Sequence, residues 1–202
     1  MAAKVFDNIL LQGVREGQIP ARTADAREWY RNQASGISKS QANPDRLIRE
    51  MGSDRYRNQF RMGNMYMFAY DPKHKDTLPY YDRYPLIFPI NKASGGFLGI
   101  NFHYLPLPLR AKLMDQLYSV TSNKLYNETT RLRINYDLLN GVAKFKEFRP
   151  TVKHYLTSQM RTRLVYINPT EWDIALFLPS PAFVGANKSK VYADSRRIIR
   201  GR

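Results

Sequence analysis

The sequence predicts an α+β fold, in which a small, twisted antiparallel β-sheet or partial barrel is surrounded by helices. Residues 64–109 alternate aromatic and β-branched runs with Pro, Gly and Asp, which is typical of short strands joined by tight turns. The segments on either side place apolar residues at helical spacing. We therefore expect a helical N-terminal arm at residues 1–62, an α+β core at 63–184 and a basic C-terminal tail at 185–202.

Composition narrows the possible partners and compartments. The 202 residues include 32 Lys and Arg against 17 Asp and Glu, a net charge of +15, and 43% of them are hydrophobic. A hydrophobic share of this size can supply a core, and a surface this basic attracts nucleic acid, acidic membranes or acidic proteins. The chain has no cysteine, which excludes disulfides and thiolate metal sites. Without a signal-peptide pattern or an apolar run near the roughly 20 residues of a membrane helix, we expect a soluble protein made in a cytoplasm.

The N-terminal arm contains three predicted helices. Residues 2–17 carry apolar side chains at helical spacing. Thr23 is the expected N-cap of a second helix, which carries Trp29 and Tyr30. Asn43, followed by a proline and an acid, predicts the start of a third helix. We expect this arm to pack on a protein partner or on the core, and the alternative is a basic arm laid along nucleic acid.

The central segment contains three predicted strands, at residues 65–70, 86–91 and 97–104. Residues 71–76 form a turn because Asp-Pro sets turn geometry, and residues 94–96 form a hairpin turn. Pro89 interrupts the second strand and predicts either an edge position or a bulge there.

The remaining residues predict further helices, one more strand and the tail. Helices are expected at 109–119, 128–139 and 150–160, and a strand at 162–167. Asn168 and Glu171 flank a proline in a capping-box pattern, which predicts a helix carrying Trp172. The tail has one acid, Asp194, and is either a flexible basic tail or an extended arm added to a neighbouring subunit. Its candidate contacts with a polyanion or a partner are Lys188, Lys190, Arg196, Arg197, Arg200 and Arg202.

The sequence offers little for catalysis or metal binding. His74 lies in a polar turn near Asp71, Asp76 and Asp82, but their spacing matches no known metal site. His103 lies on a predicted strand, where a structural histidine is the simpler interpretation. No nucleophile elbow and no phosphate-binding glycine loop is present. We expect a non-enzymatic protein without catalytic residues, cofactor or metal.

Tyrosines and arginines are the more informative residues. The chain has 14 Tyr and 10 Phe, and their densest basic group contains Tyr80, Tyr81, Arg83 and Tyr84. Such residues provide stacking platforms for nucleic acid, and they are also common in protein interfaces. We favour a protein interface, because neighbouring residues 86–88 and 97–98 are apolar on both faces of their strands. The candidate interface residues are therefore Tyr80, Tyr81, Arg83, Tyr84, Trp29 and Tyr30.

Two longer stretches resemble a known group of proteins. Residues 63–87 (GNMYMFAYDPKHKDTLPYYDRYPLI) and 95–106 (GGFLGINFHYLP), with the later blocks FKEFRP at 145–150, Glu171-Trp172 and FLP at 177–179, resemble small virion proteins of large contractile-tailed bacteriophages. The resemblance covers roughly residues 60–195. It implies a structural protein of the phage particle, and it carries over no catalytic residues.

Two roles fit this resemblance. We expect a non-enzymatic subunit of the tail, in the baseplate, which contacts several neighbouring tail or neck proteins through its arms within a symmetric assembly. It would be assembled in the host cytoplasm, with no membrane and no small-molecule substrate. The alternative is a protein at the head–tail junction that binds and protects packaged DNA ends, in which case DNA is the partner.

Overall fold

The computed structural model describes residues 5–18, 23–121 and 127–201. Within them it has eight strands and seven α-helices, so the predicted α+β class is confirmed. The strands are β1 (Tyr56–Arg57), β2 (Met65–Met67), β3 (Tyr81–Asp82), β4 (Leu86–Ala93), β5 (Gly96–Asn101), β6 (Val152–Leu156), β7 (Leu164–Ile167) and β8 (Phe183–Val184). The helices are α1 (Val5–Arg15), α2 (Ala24–Gly36), α3 (Pro44–Glu50), α4 (Leu107–Thr121), α5 (Glu128–Lys144), α6 (Trp172–Phe177) and α7 (Lys188–Arg200).

Six strands form one antiparallel sheet in the order β1-β7-β2-β4-β5-β6, and β3 pairs with β8 in a separate two-stranded ribbon. The large sheet is open, with β1 and β6 at its edges, so the partial barrel does not close. β4 and β5 form the predicted hairpin, in which Gly95 turns with a φ of 70°. The register shifts between Pro89 and Asn91, so the proline marks a bulge in a central strand rather than an edge.

The helix predicted at residues 150–160 is wrong, because this segment contains β6. β6 pairs with β5 along its whole length, from Gly96 opposite Leu156 to Ile100 opposite Val152. An ideal Cβ at Gly96 would lie only 1.8 Å from the carbonyl oxygen of Tyr155, so the glycine permits this close approach. The free edge of β5 therefore decides the conformation here, since its backbone groups need partners.

The predicted helix starts are confirmed by their caps. The side chain of Thr23 accepts a hydrogen bond from the backbone of Ala26 at 3.1 Å, and Asn43 caps α3 in the same way. Asn168 and Glu171 form a capping box. This box opens one turn of 3₁₀-helix, and α6 follows it directly.

The main hydrophobic core lies between one face of the sheet and the helices. Its aromatic centre is Trp172 of α6, whose ring meets Phe88 of β4 edge-on at 4.9 Å. The three N-terminal helices form as predicted, and they contribute to this same core through residues such as Phe6 and Leu47. An ion pair between Arg31 and Asp173, at 2.7 Å, also joins α2 to α6.

The segment 185–202 was expected to be a flexible tail or an extended arm, and most of it is the helix α7 instead. Asn187 caps its start, and Gly201, with a φ of 73°, ends it in the left-handed conformation. Val191 and Ser195 are buried one turn apart, so the helix packs through one face. This amphipathic spacing explains the difference, because it favours a helix wherever an apolar surface is available. Arg202 lies outside the described residues.

None of the described helices combines the length and apolar character required to span a bilayer.

Candidate functional site

The second face of the sheet carries its own aromatic cluster. Its buried members are Tyr66, Phe68, Tyr70, Ile87, Phe97, Tyr155 and Leu164. Phe60, Met160 and Tyr166 pack against this cluster and are themselves only partly buried. The rim of this face is therefore formed by partly exposed aromatic rings and by the charged side chains next to them.

Arginines surround the rim at the β1–β7 edge. Two cavities of about 300 and 360 Å³ lie there, and Arg57 lines both of them. Arg61 lines the first cavity, whereas Arg161 and Arg163 line the second. All four residues are exposed, and the described residues lining these cavities include no Asp or Glu. We call the two adjoining cavities the arginine groove.

Two of these arginines are stacked on tyrosines. The guanidinium carbon of Arg57 lies 5.5 Å from the ring centre of Tyr166, and that of Arg163 lies 4.7 Å from the ring centre of Tyr56. Stacking on a ring holds a guanidinium in place but leaves its N–H donors available at the edges. Nη1 of Arg57 donates to the backbone carbonyls of Asp54 and Tyr56, so Arg57 can donate to an anion such as a phosphate through its other nitrogens, and Arg163 can do the same.

The other two arginines differ in their partners. Arg161 forms an ion pair with Asp71 at 2.9 Å, and Lys75 binds the same carboxylate at 3.1 Å. The hydrogen bonds from Arg161 and Lys75 lower the pKa of Asp71, so the carboxylate stays ionised. The side chain of Arg61 has no ion pair among the residues that the structure describes. The groove thus keeps an excess of positive charge.

A third cavity, of about 550 Å³, continues from the arginine groove and shares Arg161 and Thr162 with it. Three of the predicted interface residues, Tyr81, Arg83 and Tyr84, line this bridging cavity. Arg83 is exposed, and both tyrosines are half-buried. The structure therefore brings this predicted group next to arginines that the sequence analysis had not selected.

A fourth cavity, of about 250 Å³, adjoins the bridging cavity and shares Tyr70 and Tyr81 with it. We call it the tyrosine pocket, because its walls are largely the rings of Tyr70, Tyr80, Tyr81, Tyr104 and Tyr155. Lys153 of β6 also lines it, and its ammonium lies 4.2 Å from the ring centre of Tyr104. Burial lowers the pKa of Lys153 from 10.5 to about 8.

The remaining predicted interface residues lie elsewhere. Tyr30 is 2% exposed, and its hydroxyl donates to the backbone carbonyl of Gln18, so it is a core residue rather than a contact residue. Its ring packs directly against Gly13 of α1, where a Cβ would collide with it. Trp29 is half-buried against Tyr30, with its indole N–H bonded to Glu16 at 2.9 Å. Neither residue lines the groove or the tyrosine pocket.

The basic residues of α7 form a separate surface. Lys190 and Arg197 both pair with Asp194, at 3.5 and 3.2 Å. Arg196 and Arg200 are exposed one turn apart and have no ion pair with another described residue. Lys188 is half-buried, and its pKa is lowered by burial.

The helix is fixed to the core through a buried arginine on α4. The guanidinium of Arg110 donates to the hydroxyl of Tyr192 at 2.8 Å, and it also donates to three backbone carbonyls. The outer face of α7 is therefore held in a defined position.

The residues considered for metal binding are not brought together. Among the described residues, no three His, Asp or Glu side chains form a group that could hold a metal ion. Asp71 is engaged with Arg161 and Lys75, while His74 and Asp76 are exposed in the turn. Asp82 is buried and is hydrogen-bonded to Asn101 and His103 instead.

Asp82 belongs to a buried polar network. Its carboxylate accepts hydrogen bonds from Asn101 at 3.0 Å and from Nδ1 of His103 at 2.7 Å, and Nε2 of His103 lies 3.3 Å from the hydroxyl of Ser180. This order of groups resembles a nucleophile–histidine–acid arrangement, but Ser180 is 1% exposed and His103 is fully buried. Burial lowers the pKa of His103, and Asp82 opposes that change. The network therefore holds β3 against β5, and its serine and histidine are buried away from solvent.

The arginine groove and Lys153 were missed by the sequence analysis for identifiable reasons. Arg57 and Arg163 lie more than a hundred residues apart and meet only because β1 pairs with β7. A signal was present in Arg161 and Arg163, which lie two residues apart at the start of the strand predicted at 162–167. Lys153 was not selected because the helix wrongly predicted at 150–160 assigned it to no particular face.

A comparison with protein families identifies one match over most of the chain. Residues 24–200 match the family model described as phage T4 terminal DNA protecting protein. No curated protein and no solved structure matches the chain significantly.

Proposed function

The chain belongs to the family of the phage T4 terminal DNA protecting protein, and from this premise we propose that it binds the ends of duplex viral DNA and shields them from nucleases. A structural, non-enzymatic role in a phage agrees with the resemblance seen in the sequence. Of the two predicted roles, the family favours the protector of DNA ends over the baseplate subunit.

The observation that carries this proposal is the arginine groove. Its four exposed arginines lie along one edge of the sheet, around cavities without acidic lining. Guanidinium groups bind phosphate oxygens with two parallel hydrogen bonds, and such contacts position a protein on DNA without reading its sequence. A protein that acts on DNA ends needs affinity for the backbone more than for particular bases, and the groove offers this.

Shielding needs no catalytic group. A protein that covers the terminal base pairs blocks an exonuclease sterically for as long as it stays bound, so residence time determines the protection. The groove and the exposed Arg196 and Arg200 of α7 provide two basic surfaces, and we propose the groove as the primary DNA contact. The predicted contact role of α7 stays a second candidate, because one of its two lysines, Lys190, and one arginine, Arg197, are already paired with Asp194.

The test compares DNA with and without ends. The purified protein is titrated with a linear duplex and with a covalently closed circle of the same sequence, and exonuclease digestion of the linear duplex is followed in parallel. We expect preferential binding of the linear duplex and slower digestion. Equal affinity for both substrates, or no protection, would refute the end-binding proposal.

Two variants locate the surface that binds DNA. In the double variant Arg57→Gln and Arg163→Gln, binding should weaken for every sequence, and the slope of log K against log salt should fall by about 0.9 for each phosphate that the protein no longer neutralises. Arg133→Gln on α5 removes an exposed arginine that lines neither cavity of the groove, and it serves as the control. An unchanged slope in the double variant, with a reduced slope in Arg196→Gln and Arg200→Gln, would assign DNA binding to α7 instead.

A further inference from the structure

We propose that the tyrosine pocket binds one unpaired nucleobase at the DNA end, stacked on Tyr80 and hydrogen-bonded by Lys153. The proposal rests on the proposed function, since it names the part of the DNA that this pocket would take.

The pocket has the shape and chemistry of a base site. Two of its rings, those of Tyr80 and Tyr104, lie 6.1 Å apart and only 32° from parallel. Tyr104 is 5% exposed and Lys153 covers its ring, so the half-buried ring of Tyr80 is the one that can stack on a nucleobase without regard to sequence. The volume of about 250 Å³ lies below the roughly 300–1,000 Å³ of pockets for drug-sized ligands, so it suits a single ring system.

The rings of Tyr80 and Tyr104 are held in place before any ligand arrives. Phe183 of β8 meets the ring of Tyr104 at 5.1 Å and that of Tyr80 at 6.4 Å, in both cases edge-on. A fixed pair of rings loses little conformational entropy on binding, which favours a small ligand.

Lys153 supplies the polar group of the pocket. Within the described residues its ammonium has no ion pair and no hydrogen bond, and its contact is with the face of Tyr104. The acid that lines the same pocket, Asp82, is already occupied by Asn101 and His103. The ammonium is therefore available to donate to a carbonyl oxygen or ring nitrogen on the edge of a base.

The position of the pocket fits the end of a strand. The tyrosine pocket joins the bridging cavity at Tyr70 and Tyr81, and the bridging cavity joins the arginine groove at Arg161 and Thr162. A DNA backbone that lies along the groove can thus reach the pocket with its last nucleotide. A base can enter only when it is unpaired, which happens most easily at an end.

The experiment uses two linear duplexes that differ at one position. One ends in a single unpaired 3′ nucleotide, and the other has an abasic residue at that place, so that both have the same charge and length. We expect the full-length protein to bind the duplex with the base about tenfold more tightly, as stacking of one base implies. Equal affinities would overturn the base pocket while leaving end binding intact. Failure to bind either duplex would refute the proposed function itself.

Variants separate the pocket from the groove. Tyr80→Ala and Lys153→Met should each reduce the preference for the base to below about threefold. Arg163→Gln should weaken binding of both duplexes and keep the preference, whereas Tyr136→Ala on α5 should change neither. A preference that survives in both pocket variants, each shown by cooperative thermal unfolding to be folded, would overturn the proposal. The proposal would also be overturned if a free tyrosine-containing peptide bound more tightly than the overhang. The pocket would then serve a protein partner.

Discussion

Replacing Lys153 with Met should stabilise the protein near neutral pH. The ammonium of Lys153 lies in the tyrosine pocket without an ion pair among the described residues, and burial lowers its pKa from 10.5 to about 8. At 1.36 kcal/mol per pKa unit, keeping the charge in the folded protein costs about 3 kcal/mol. The variant also loses the stacking of the ammonium on Tyr104, worth about 0.5–2 kcal/mol. We therefore expect a gain of about 1–3 kcal/mol in the free energy of unfolding.

The gain should depend on pH in a defined direction. Below pH 8, Lys153 is protonated in both the folded and the unfolded protein, and the full cost is present. Between about pH 8 and 10.5 the folded protein gives up the proton first, so the unfolded state binds more protons and the wild-type protein becomes more stable as pH rises. The difference between wild type and variant should then disappear near the pKa of 10.5 that Lys153 has when unfolded. The other titratable groups of the pocket, Tyr70, Tyr80, Tyr81, Asp82, Tyr104, His154 and Tyr155, are the same in both proteins.

Urea denaturation near pH 7 and near pH 10.5 measures this effect. Lys92→Met, at an exposed lysine of β4, is the control and should change stability by less than about 0.5 kcal/mol at either pH. The reasoning fails if Lys153→Met is less stable than the wild type at pH 7, or if its gain is the same at both pH values. A variant that gains stability while losing the preference for an unpaired base would indicate that the buried charge is kept for binding.

The other predictions concern folding stability and are measured by urea denaturation. Glu171→Gln should lose about 2–3 kcal/mol, because Glu171 is 1% exposed and binds both terminal guanidinium nitrogens of Arg55; an effect below about 0.5 kcal/mol would contradict this. Gly96→Ala should lose about 3 kcal/mol, because its Cβ would meet the carbonyl oxygen of Tyr155. Gly141→Ala in α5 has open space around it and should instead gain about 0.5–1 kcal/mol, so a loss of stability there would refute the reasoning for both glycines.

Local signals predicted much of the fold. The capping residues Thr23, Asn43 and Asn168 could be predicted from short sequence patterns. A cap forms hydrogen bonds with backbone groups of the first turn of its own helix, so only neighbouring residues are involved. The β4–β5 hairpin follows from its turn residues in the same way. The helix wrongly expected at 150–160 shows the limit, since β6 forms only because the edge of β5 is present.

The candidate site was predicted in part. Tyr80, Tyr81, Arg83 and Tyr84 do line adjoining cavities, because they are close in sequence and the β3 turn keeps them at the surface. Tyr30 was also selected because it is a tyrosine, but it is buried. Tyrosines occur both in cores and in interfaces, so the residue type alone does not distinguish the two positions.

The sequence by itself determined the α+β class, the positions of the caps and turns, and the strongly basic character of the protein. Each of these depends on neighbouring residues or on composition, and both are present in the linear chain. Only the tertiary structure decided which arginines share a groove and which lysine is half-buried among tyrosines. Arg57 meets Arg163 through the pairing of β1 with β7, and Lys153 meets Tyr104 through the packing of β6. Interactions of this kind join residues that are far apart in the chain, so their chemistry emerges only when the sheet has formed.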